Sequence, residues 1–404
     1  ISHAPQPSTD SLQEGQIFPH SRSDIGTSCC EVIIGDQPYT KMVAWSNWAE
    51  TVHWQGQVRK PSSVDELAQY VKAAERVFIV GAGHSFHYAA APPPCEETAM
   101  SEKVIAIDMA HGFNKVISVS KDEGTCVVEG GCTLGCLALE LQNHGLALES
   151  LPSLMCVTVA GAISTGTHGS GHKVSVMADM VLNMTVMNAA GELLEISDPR
   201  FFLNVGMLGV IVRVTLKCVP SYNMQQRVYE HISLPSFYQG VDEVCKSVDS
   251  CSFWIDLSKG SVMAWLRERE DTAKQLEPQC LGGVLRSTPV SASETDIPLR
   301  TVFSGPWYEV LPFFGVGQPL PHNTFVQAEF FLPLAALPAA LEALRLDASL
   351  SQSLPHIEVR ILKGDGLAVS PCNKRFLKDV PDDLFAGIHI GLPNDMAGGP
   401  FTAC

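Results

Sequence analysis

A short apolar run that ends in a glycine pair constrains this chain more than any other feature. Val77 to Val80 is followed directly by Gly81-Ala-Gly83, and then by His84 and Ser85. An apolar run of this length bounded by glycines is typical of a buried strand that leads into a loop. Glycines let the backbone approach a ligand closely and leave amide N–H groups free to bind an anion. We therefore expect a ligand site at this loop, with His84 beside the ligand.

The same stretch could be part of a dinucleotide fingerprint on a Rossmann unit. That fingerprint needs a third glycine and a helix that follows it. Phe86 stands where the third glycine should be, and the chain continues as Tyr88-Ala-Ala-Ala-Pro-Pro-Pro94 rather than as an apolar helix. The Rossmann interpretation is therefore the weaker one.

A second glycine-rich stretch lies further along the chain. It runs from Val159 to Gly171 with the sequence VAGAISTGTHGSG and consists mostly of small residues. A pyrophosphate needs several hydrogen-bond donors in a concave nest, and two loops of this kind can supply them from the backbone. The pair of loops therefore fits a ligand with two phosphates and flat rings.

Composition and charge narrow the class of protein. The chain has 404 residues, of which 46% are apolar and 17% charged, as is typical of a globular enzyme with room for two domains. The formal net charge of −16 argues against a nucleic-acid partner, because a phosphate backbone repels an acidic surface. No run in the sequence approaches the ~20 consecutive apolar residues of a transmembrane helix. We therefore expect a soluble protein with no transmembrane segment.

The cysteines favour a reducing intracellular compartment. There are 13 of them, an odd number, and they are scattered through apolar segments, which is typical of buried free thiols. A zinc site would have to start from Cys126, Cys132, Cys136 and His144. Their spacing lacks the paired Cys-x-x-Cys of structural zinc, so we predict no metal site.

Helix and strand signals alternate along the chain. Residues 62–74 and 133–144 have helical spacing of apolar residues, and Ser62 or Ser63 can cap the first helix. Residues 357–361 form a predicted strand on which Glu358 and Arg360 share one face, because side chains alternate along a strand. Further short β-rich runs bounded by turn residues predict strands at 77–80, 104–108, 116–120, 125–129, 209–219 and 325–331.

Four segments taken together resemble a known family. They are Gly81-Ala-Gly-His-Ser-Phe86, Val127-Val-Glu-Gly-Gly131, Leu146-Ala-Leu148 and the stretch Val159 to Gly171. In this order and spacing they resemble the flavin-binding half of the vanillyl-alcohol oxidase superfamily. Within it the chain is most similar to alditol oxidases and to sugar-1,4-lactone oxidases such as D-arabinono-1,4-lactone oxidase and L-gulonolactone oxidase.

The resemblance implies an α+β fold in two functional parts. We expect a weakly structured arm over residues 1–42 and a two-subdomain FAD-binding domain of the PCMH type over 43–222. An α+β substrate (cap) domain with an antiparallel sheet is expected over 223–404. Some lactone-oxidising relatives are associated with membranes, so peripheral association stays open, although the sequence shows no anchor.

The resemblance also implies how FAD is held. In covalent members of the family the histidine of Gly-His-Ser is bonded to the methyl group on the benzene ring of the flavin, and that position is His84 here. A histidine that only forms hydrogen bonds near the loop is the alternative. The other residues implied in cofactor binding are Gly81, Ala82, Gly83, Ser85, Thr165, Gly166, His168, Gly169 and Ile211.

On the substrate side, Glu358-Val-Arg360 and His389 resemble the Glu-x-Arg and later histidine of alditol oxidases. The resemblance implies that Glu358 holds substrate hydroxyls, that Arg360 stabilises developing negative charge and that His389 helps to take the hydroxyl proton. Ser153 matches a serine that contacts substrate in the family. The alternative for Glu358 and Arg360 is a surface ion pair, which would be worth little.

The implied reaction is oxidation of a CH–OH group by hydride transfer to flavin N5. The substrate would be a polyol or a sugar-1,4-lactone, and O₂ would be the electron acceptor. A dehydrogenase with another acceptor and a flavin-binding protein without turnover are the alternatives.

The sequence departs from the family pattern at several places. Relatives end with a His-Trp-Gly segment and a lysine that joins the active site, whereas this sequence ends at Gly398-Gly-Pro-Phe-Thr-Ala-Cys404. It also begins at Ile1 rather than Met, so we expect a fragment or processed product with a truncated or atypical C-terminus. The spacing from Arg360 to His389 is longer than in relatives, and Pro152 replaces a small residue next to Ser153.

Overall fold

The computed structural model describes residues 43–86, 104–273, 277–287, 303–318, 325–354, 357–377 and 382–393. The arm expected over residues 1–42 and the segment after residue 393 lie outside the described residues.

The first sheet carries the first glycine-rich loop at the end of one of its strands. Its order is β1-β2-β4-β3, with β1 antiparallel to β2, and both β2 and β3 parallel to β4. The Ser63 side chain accepts a hydrogen bond from the Glu66 amide and caps α1, which confirms the predicted helix start. The elements are β1 (Val43–Ser46), β2 (His53–Arg59), α1 (Val64–Ala73), β3 (Arg76–Val80) and β4 (Val104–Asp108).

A second, wholly antiparallel sheet follows, with the order β5-β6-β10-β8-β9. Thr133 and Thr158 cap the two helices of this part through their side chains. The second helix, α3, was not expected from the small residues of the second glycine-rich stretch. The elements are β5 (Val116–Ser120), β6 (Thr125–Glu129), α2 (Leu134–Asn143), β7 (Leu146–Ala147), α3 (Val159–Ser164), β8 (Val181–Met187), β9 (Leu193–Ile196), β10 (Val210–Lys217) and β11 (Val219–Pro220).

The third sheet is large and antiparallel, as the sequence predicted for this part of the chain. Its strands follow the order β15-β16-β12-β14-β13-β19-β20-β18, and β17 pairs with β12. The strands are β12 (Asn223–Ser233), β13 (Ser250–Asp256), β14 (Ser261–Arg269), β15 (Gln279–Cys280), β16 (Gly283–Leu285), β17 (Phe303–Pro306), β18 (Phe325–Pro333), β19 (Ile357–Lys363) and β20 (Leu384–Pro393). The helices are α4 (Leu234–Ser247), α5 (Trp307–Val310), α6 (Leu337–Leu346) and α7 (Ala348–Ser353).

The two faces of the third sheet differ in chemistry. One face is apolar and packs with α4 and α6 in a single core that includes Phe253, Val359 and Ile388. Side chains alternate along a strand, so Glu358 and Arg360 lie on the opposite face. That face meets the first half of the chain, because the Arg360 guanidinium donates to the Ser153 hydroxyl.

The C-terminal end of the second glycine-rich stretch is hydrogen-bonded to the third sheet. The Gly171 amide donates to the Ile361 carbonyl oxygen at 2.7 Å, and the Ser170 hydroxyl accepts from the Ile361 amide at 3.0 Å. A single segment, residues 159–171, therefore links the part of the chain that contains the first two sheets to the sheet that carries Glu358 and Arg360.

Candidate active site: a cofactor cleft beside a polar strand face

A cleft of about 510 Å³ lies between the two glycine-rich stretches. Its volume is in the range of roughly 300–1,000 Å³ found for small-molecule and cofactor sites. The loop after β3 forms one wall, and α3 with the residues that flank it forms another. We call this space the cofactor cleft.

The first glycine-rich loop is held in place by its backbone and by its neighbours. The Trp48 amide donates to the Gly83 carbonyl oxygen at 2.8 Å, and the Asn47 side chain donates to the Ser85 carbonyl oxygen at 3.0 Å. Gly83 has a φ of 70°, a conformation that side-chain-bearing residues rarely adopt. The local geometry therefore explains why the sequence has glycine at this position.

Glycine is also required where the walls of the cleft approach each other. A Cβ atom on Gly81 would lie 2.7 Å from the Thr158 hydroxyl oxygen, at the start of α3. A Cβ atom on Gly130 would lie 2.2 Å from the carbonyl oxygen of Ile211. Both glycines line the cleft. The two glycines thus let the walls of the cleft pack closely together, and their amides stay available to a doubly phosphorylated ligand such as FAD.

His84 stands in this cleft between an aromatic ring and a thiol. Its ring centroid is 4.9 Å from that of Trp48, and its Nε2 atom is 3.7 Å from the Cys156 sulfur. Cys156 was not singled out from the sequence, because nothing local marks a cysteine 72 residues away as a neighbour of His84.

The residues predicted to bind the cofactor separate into two groups in the structure. Gly166, His168 and Gly169 do not line the cleft. Gly166, with a φ of 73°, follows directly after Thr165, where α3 has ended, and the chain then runs toward the third sheet. The cleft does contain Gly81, Ala82, Gly83, His84, Ser85, Thr165 and Ile211.

The polar face of β18, β20, β19 and β13 brings the remaining predicted residues together. His389 is the direct cross-strand partner of Glu358 on one side and of Glu329 on the other. Trp254 is paired with Glu358 on the strand beyond. Direct partners in an antiparallel pair project to the same side of the sheet. These four residues therefore form one row, which we call the polar row.

Glu358 and Arg360 form a buried, two-pronged ion pair. The Arg360 Nε and Nη2 atoms donate to the two carboxylate oxygens at 2.8 and 2.6 Å, and Nη2 also donates to the Ser153 hydroxyl at 2.9 Å. The Glu358 side chain is 2% exposed and that of Arg360 12%, so the surface ion pair considered as an alternative is wrong. Burial by itself would lower the pKa of Arg360, but the adjacent Glu358 carboxylate raises it overall.

His389 lies between two carboxylates but is held neutral by its surroundings. Burial is the main cause that lowers its pKa, and the positive charge of Arg360 acts in the same direction. Glu358 and Glu329 oppose this shift without reversing it. A neutral imidazole at neutral pH can accept a proton.

Glu329 is a member of the polar row that the sequence did not indicate. Its Oε2 atom is 3.0 Å from the Nε2 atom of His168, so this histidine of the second glycine-rich stretch reaches the strand face. Burial would raise the pKa of Glu329, but the charge and hydrogen bond of His168 outweigh burial and lower it to about 2. In the sequence Glu329 is one of two polar residues, with Gln327, in an apolar strand, and no local signal separates it from a solvent-facing glutamate.

Aromatic rings pack beside the polar row. The guanidinium carbon of Arg360 lies 5.5 Å from the centre of the Phe313 ring, and that of Arg267 lies 5.4 Å from it. Trp254 and Trp265 pack against the same ring. Arg267 is buried, which lowers its pKa to about 10. None of these aromatic residues was predicted from the sequence to belong to the site.

The amino-acid sequence is similar to that of a known domain family and to those of known enzymes. Residues 56–197 match the FAD binding domain family. The chain is 28% identical over 342 residues to an alditol oxidase from Streptomyces sp., with 82% of this chain and 80% of that protein covered. It is 34% identical over 222 residues to L-gulonolactone oxidase from Mus musculus, with 52% and 46% covered. It is 32% identical over 220 residues to L-gulono-1,4-lactone dehydrogenase from Mycobacterium tuberculosis, with 52% and 49% covered.

The fold is also found in solved structures. Cholesterol oxidase from Brevibacterium sterolicum superposes with a TM-score of 0.68 at 14% identity, with 88% of this chain and 81% of that chain covered. At this identity the likeness shows the fold alone. The alignments to the gulonolactone enzymes span less than half of those proteins.

Residues 56–197 therefore correspond to an FAD-binding domain, which supports FAD as the cofactor, and the chain has the fold of cholesterol oxidase. In sequence the chain is similar to alditol oxidases and sugar-1,4-lactone oxidases, as the sequence motifs indicated. In the part of the chain that the structure describes, no helix is long and apolar enough to cross a membrane.

Proposed function

We propose that the protein is an FAD-dependent oxidase that converts a CH–OH group of a polyol or a sugar-1,4-lactone to a carbonyl group, with O₂ as the electron acceptor. The observation that carries this proposal is the contact between the two halves of the site. Arg360, in the polar face of the third sheet, donates to Ser153, which lies a few residues before the cap of α3. A substrate on the strand face would therefore lie beside the cofactor cleft.

Three residues of the strand face have different roles in the proposed reaction. FAD, when bound, supplies the acceptor for the hydride that leaves the substrate carbon. Glu358 accepts hydrogen bonds from substrate hydroxyls and fixes their orientation. Arg360 stabilises negative charge that develops on the substrate oxygen. His389, neutral at neutral pH, accepts the hydroxyl proton as the hydride departs.

We further propose that His84 is bonded to the flavin. It lines the cofactor cleft, and imidazole is a suitable nucleophile for the activated methyl group of the flavin ring. The purified protein, denatured in SDS, should show flavin fluorescence on its band, and His84→Ala should release the flavin on denaturation. A wild-type band without fluorescence, together with free FAD in the supernatant, would rule out the bond while leaving FAD as the cofactor.

The activity itself is tested by flavin bleaching. Polyols of three to six carbons, L-gulono-1,4-lactone and 2-hydroxy acids are added without oxygen, and the loss of visible flavin absorbance is followed. We expect bleaching by at least one polyol or lactone and reoxidation with release of peroxide when O₂ is admitted. A flavin that stays oxidised with the whole panel would contradict the proposal.

The second candidate is a dehydrogenase of the same fold. The similarity to L-gulono-1,4-lactone dehydrogenase favours it. The substrate would bleach the flavin as before, but O₂ would reoxidise it slowly and without stoichiometric peroxide, whereas a quinone dye or cytochrome would reoxidise it rapidly.

A further inference from the structure

The outer edge of β3 faces the cofactor cleft without a partner strand. β3 is the last strand of the first sheet, and in the part of the chain that the structure describes its backbone forms hydrogen bonds only with β4. All four residues from Val77 to Val80 line the cleft, and the first three are partly exposed. Because side chains alternate between the faces of a sheet, a cleft lined by four consecutive residues borders the edge of the strand. The outward N–H and C=O groups of β3 therefore face the cleft.

The cleft runs along the whole length of β3 and past both of its ends. Beyond the C-terminal end it is lined by the first glycine-rich loop, including His84. Beyond the N-terminal end it is lined by Lys72 and Glu75, where α1 has turned into β3. The strand has five residues, which span about 16 Å at roughly 3.3 Å per residue. A cleft of this length has room for a dinucleotide laid along the strand.

The N-terminal end of the cleft is closed by the turn between β8 and β9. A Cβ atom on Gly191 would lie 2.5 Å from the Lys72 Cε atom and 3.3 Å from the Ala68 Cβ atom, so this turn packs directly on α1. Lys72 and Glu75 are exposed at this end. The side chains of the cleft wall here are mostly apolar, and they include Val71, Ala74, Val77 and Ala189. Such a wall suits a neutral ring better than a phosphate group.

Met207 lines the same end of the cleft with a side chain that is 87% exposed. It belongs to the loop before β10, and β10 begins with Val210 paired to Met187, the last residue of β8. This loop therefore lies next to the turn between β8 and β9. A thioether side chain is flexible and packs well against aromatic rings. Met207 is thus placed to cover a flat ring that lies against β3.

The position of His84 sets which end of the dinucleotide lies where. With the flavin ring beside His84, as proposed above, the pyrophosphate falls next to Gly81 and Gly83, whose loop offers backbone amides. The adenosine then continues along β3 toward α1. The adenine base carries a donor, its 6-amino group, beside ring nitrogens that accept. The edge of a strand offers the complementary C=O and N–H groups.

We propose that the free edge of β3 is the adenine-binding site of the protein. Backbone C=O and N–H groups between Val77 and Val80 pair with the 6-amino group and a ring nitrogen of the adenine of FAD, and Met207 covers the ring. This assignment rests on FAD as the cofactor and on the proposed position of the flavin at His84, but not on the substrate or on the electron acceptor. The protein then selects FAD over FMN and reads the base through its hydrogen bonds.

The test compares three flavins on one protein. They are FAD, FMN and the hypoxanthine analogue of FAD, in which an oxygen replaces the 6-amino group and N1 carries a hydrogen. The analogue keeps the size of the base and reverses its donor–acceptor pattern. Dissociation constants are measured by flavin fluorescence on the flavin-free full chain with His84→Ala, which holds flavin without a bond. If removal of the flavin unfolds this protein, exchange of bound FAD against each competitor gives the same ranking.

FAD should bind about 10²-fold more tightly than FMN, because FMN lacks the hydrogen bonds and the ring packing of the adenine. The hypoxanthine analogue should bind about tenfold more weakly than FAD, since its 6-oxygen and the backbone C=O group both accept. Met207→Ala should weaken FAD about fivefold and change FMN less than about twofold. Leu346→Ala, the matched truncation of a side chain that is 69% exposed at the end of α6, should change neither.

Three outcomes would overturn the assignment. Equal affinity for FAD and its hypoxanthine analogue would show that the edge of β3 does not pair with the base. Equal losses of FAD and FMN in Met207→Ala would place Met207 beside the flavin ring instead of the adenine. Equal affinity for FAD and FMN would leave the adenosine outside the cleft. The proposed function fails separately: if FAD binds as expected but no polyol or lactone reduces it, the oxidase is rejected and the adenine site stands.

Discussion

The cofactor cleft and the polar strand face are built in opposite ways. The cleft is formed mainly by backbone and small residues, with glycines at positions where a Cβ atom would collide with the opposite wall, as at Gly81 and Gly130. The strand face is formed by charged side chains that neutralise each other in buried pairs, such as Arg360 with Glu358. The cleft therefore depends on the absence of side chains at its glycines, and the strand face depends on pairs of charged side chains that lie side by side.

This difference predicts how each region responds to mutation. In the cleft, added volume should reduce cofactor binding and leave the chemistry of the remaining loaded enzyme intact. On the strand face, a change of one side chain exposes a buried partner and should act on the rate while the flavin stays bound. The following experiments test this separation, starting with the largest expected effect.

Removal of the proposed base should have the largest effect on the strand face. His389→Ala should lower the rate of flavin reduction by roughly 10²–10⁴-fold, the usual contribution of general base catalysis. The flavin content should stay at the wild-type level. His144→Ala, a change at an exposed histidine at the C-terminal end of α2, should have no effect on either quantity. Loss of flavin in His389→Ala would break the distinction between the two regions.

The pH dependence of the wild type sharpens this prediction. Because the folded-state pKa of His389 is lowered from 6.5, the base is neutral at pH 7 and becomes protonated only at lower pH. The second-order rate constant should therefore be constant near neutrality and fall as the pH decreases through that pKa, below 6.5. His389→Ala should lose this acidic limb. A wild-type limb centred above pH 7 would contradict the assignment.

The shape of the guanidinium group should matter as well as its charge. Arg360→Lys keeps a positive charge but cannot form the two-pronged contact with Glu358 together with the contact to Ser153. We expect flavin reduction to slow by about 10²-fold, the loss typical for removal of one transition-state donor. Arg345→Lys provides the matched control at an exposed ion pair. A rate within a factor of two of wild type would show that only the charge is used.

A glycine substitution tests the cleft. Gly81→Ala places a Cβ atom 2.7 Å from the Thr158 hydroxyl oxygen and should shift the loop that borders the cofactor. We expect a lower flavin-to-protein absorbance ratio after purification, with a near-normal reduction rate per bound flavin. Gly366→Ala, where no atom lies within 4 Å of the added Cβ, is the control. A full flavin content would mean that the loop has room to adjust.

The smallest effect is expected at the contact between the two regions. Ser153→Ala removes the hydroxyl that accepts a hydrogen bond from Arg360 at 2.9 Å, while the ion pair between Arg360 and Glu358 remains. Loss of one hydrogen bond to a charged group should cost about tenfold or less in the reduction rate. Ser258→Ala, at an exposed serine, should be neutral. A loss as large as that of Arg360→Lys would make Ser153 a direct substrate contact.

Much of the local structure was predictable. The helices over 64–73 and 134–143 begin at the residues where side-chain caps were expected or available, Ser63 and Thr133. The strand that ends at Val80 delivers the first glycine loop, as the apolar run predicted. These signals are contained in a few consecutive residues, so the sequence was sufficient to recognise them.

His168 shows what the sequence could not decide. Its place in a glycine-rich motif predicted a neighbour of the cofactor, but the chain turns after Thr165 and brings it to Glu329, a residue 161 positions away. The strand pattern around Glu329 shows which residues share a face, but not which strand pairs with the strand of Glu329. The pairing of Glu329 with His389 is set by the register of β18 on β20.

The sequence by itself determined the glycine loop after β3, the helix caps and the strands of the first half of this protein, because these signals act over short distances along the chain. It also determined that Glu358 and Arg360 lie on one face, because residues two positions apart on a strand project to the same side. Only the tertiary structure decided that this face is buried, that His389 lies between two carboxylates and that Glu329 keeps an oxygen free. Those facts depend on hydrogen-bonded register between strands far apart in sequence, which no local pattern encodes.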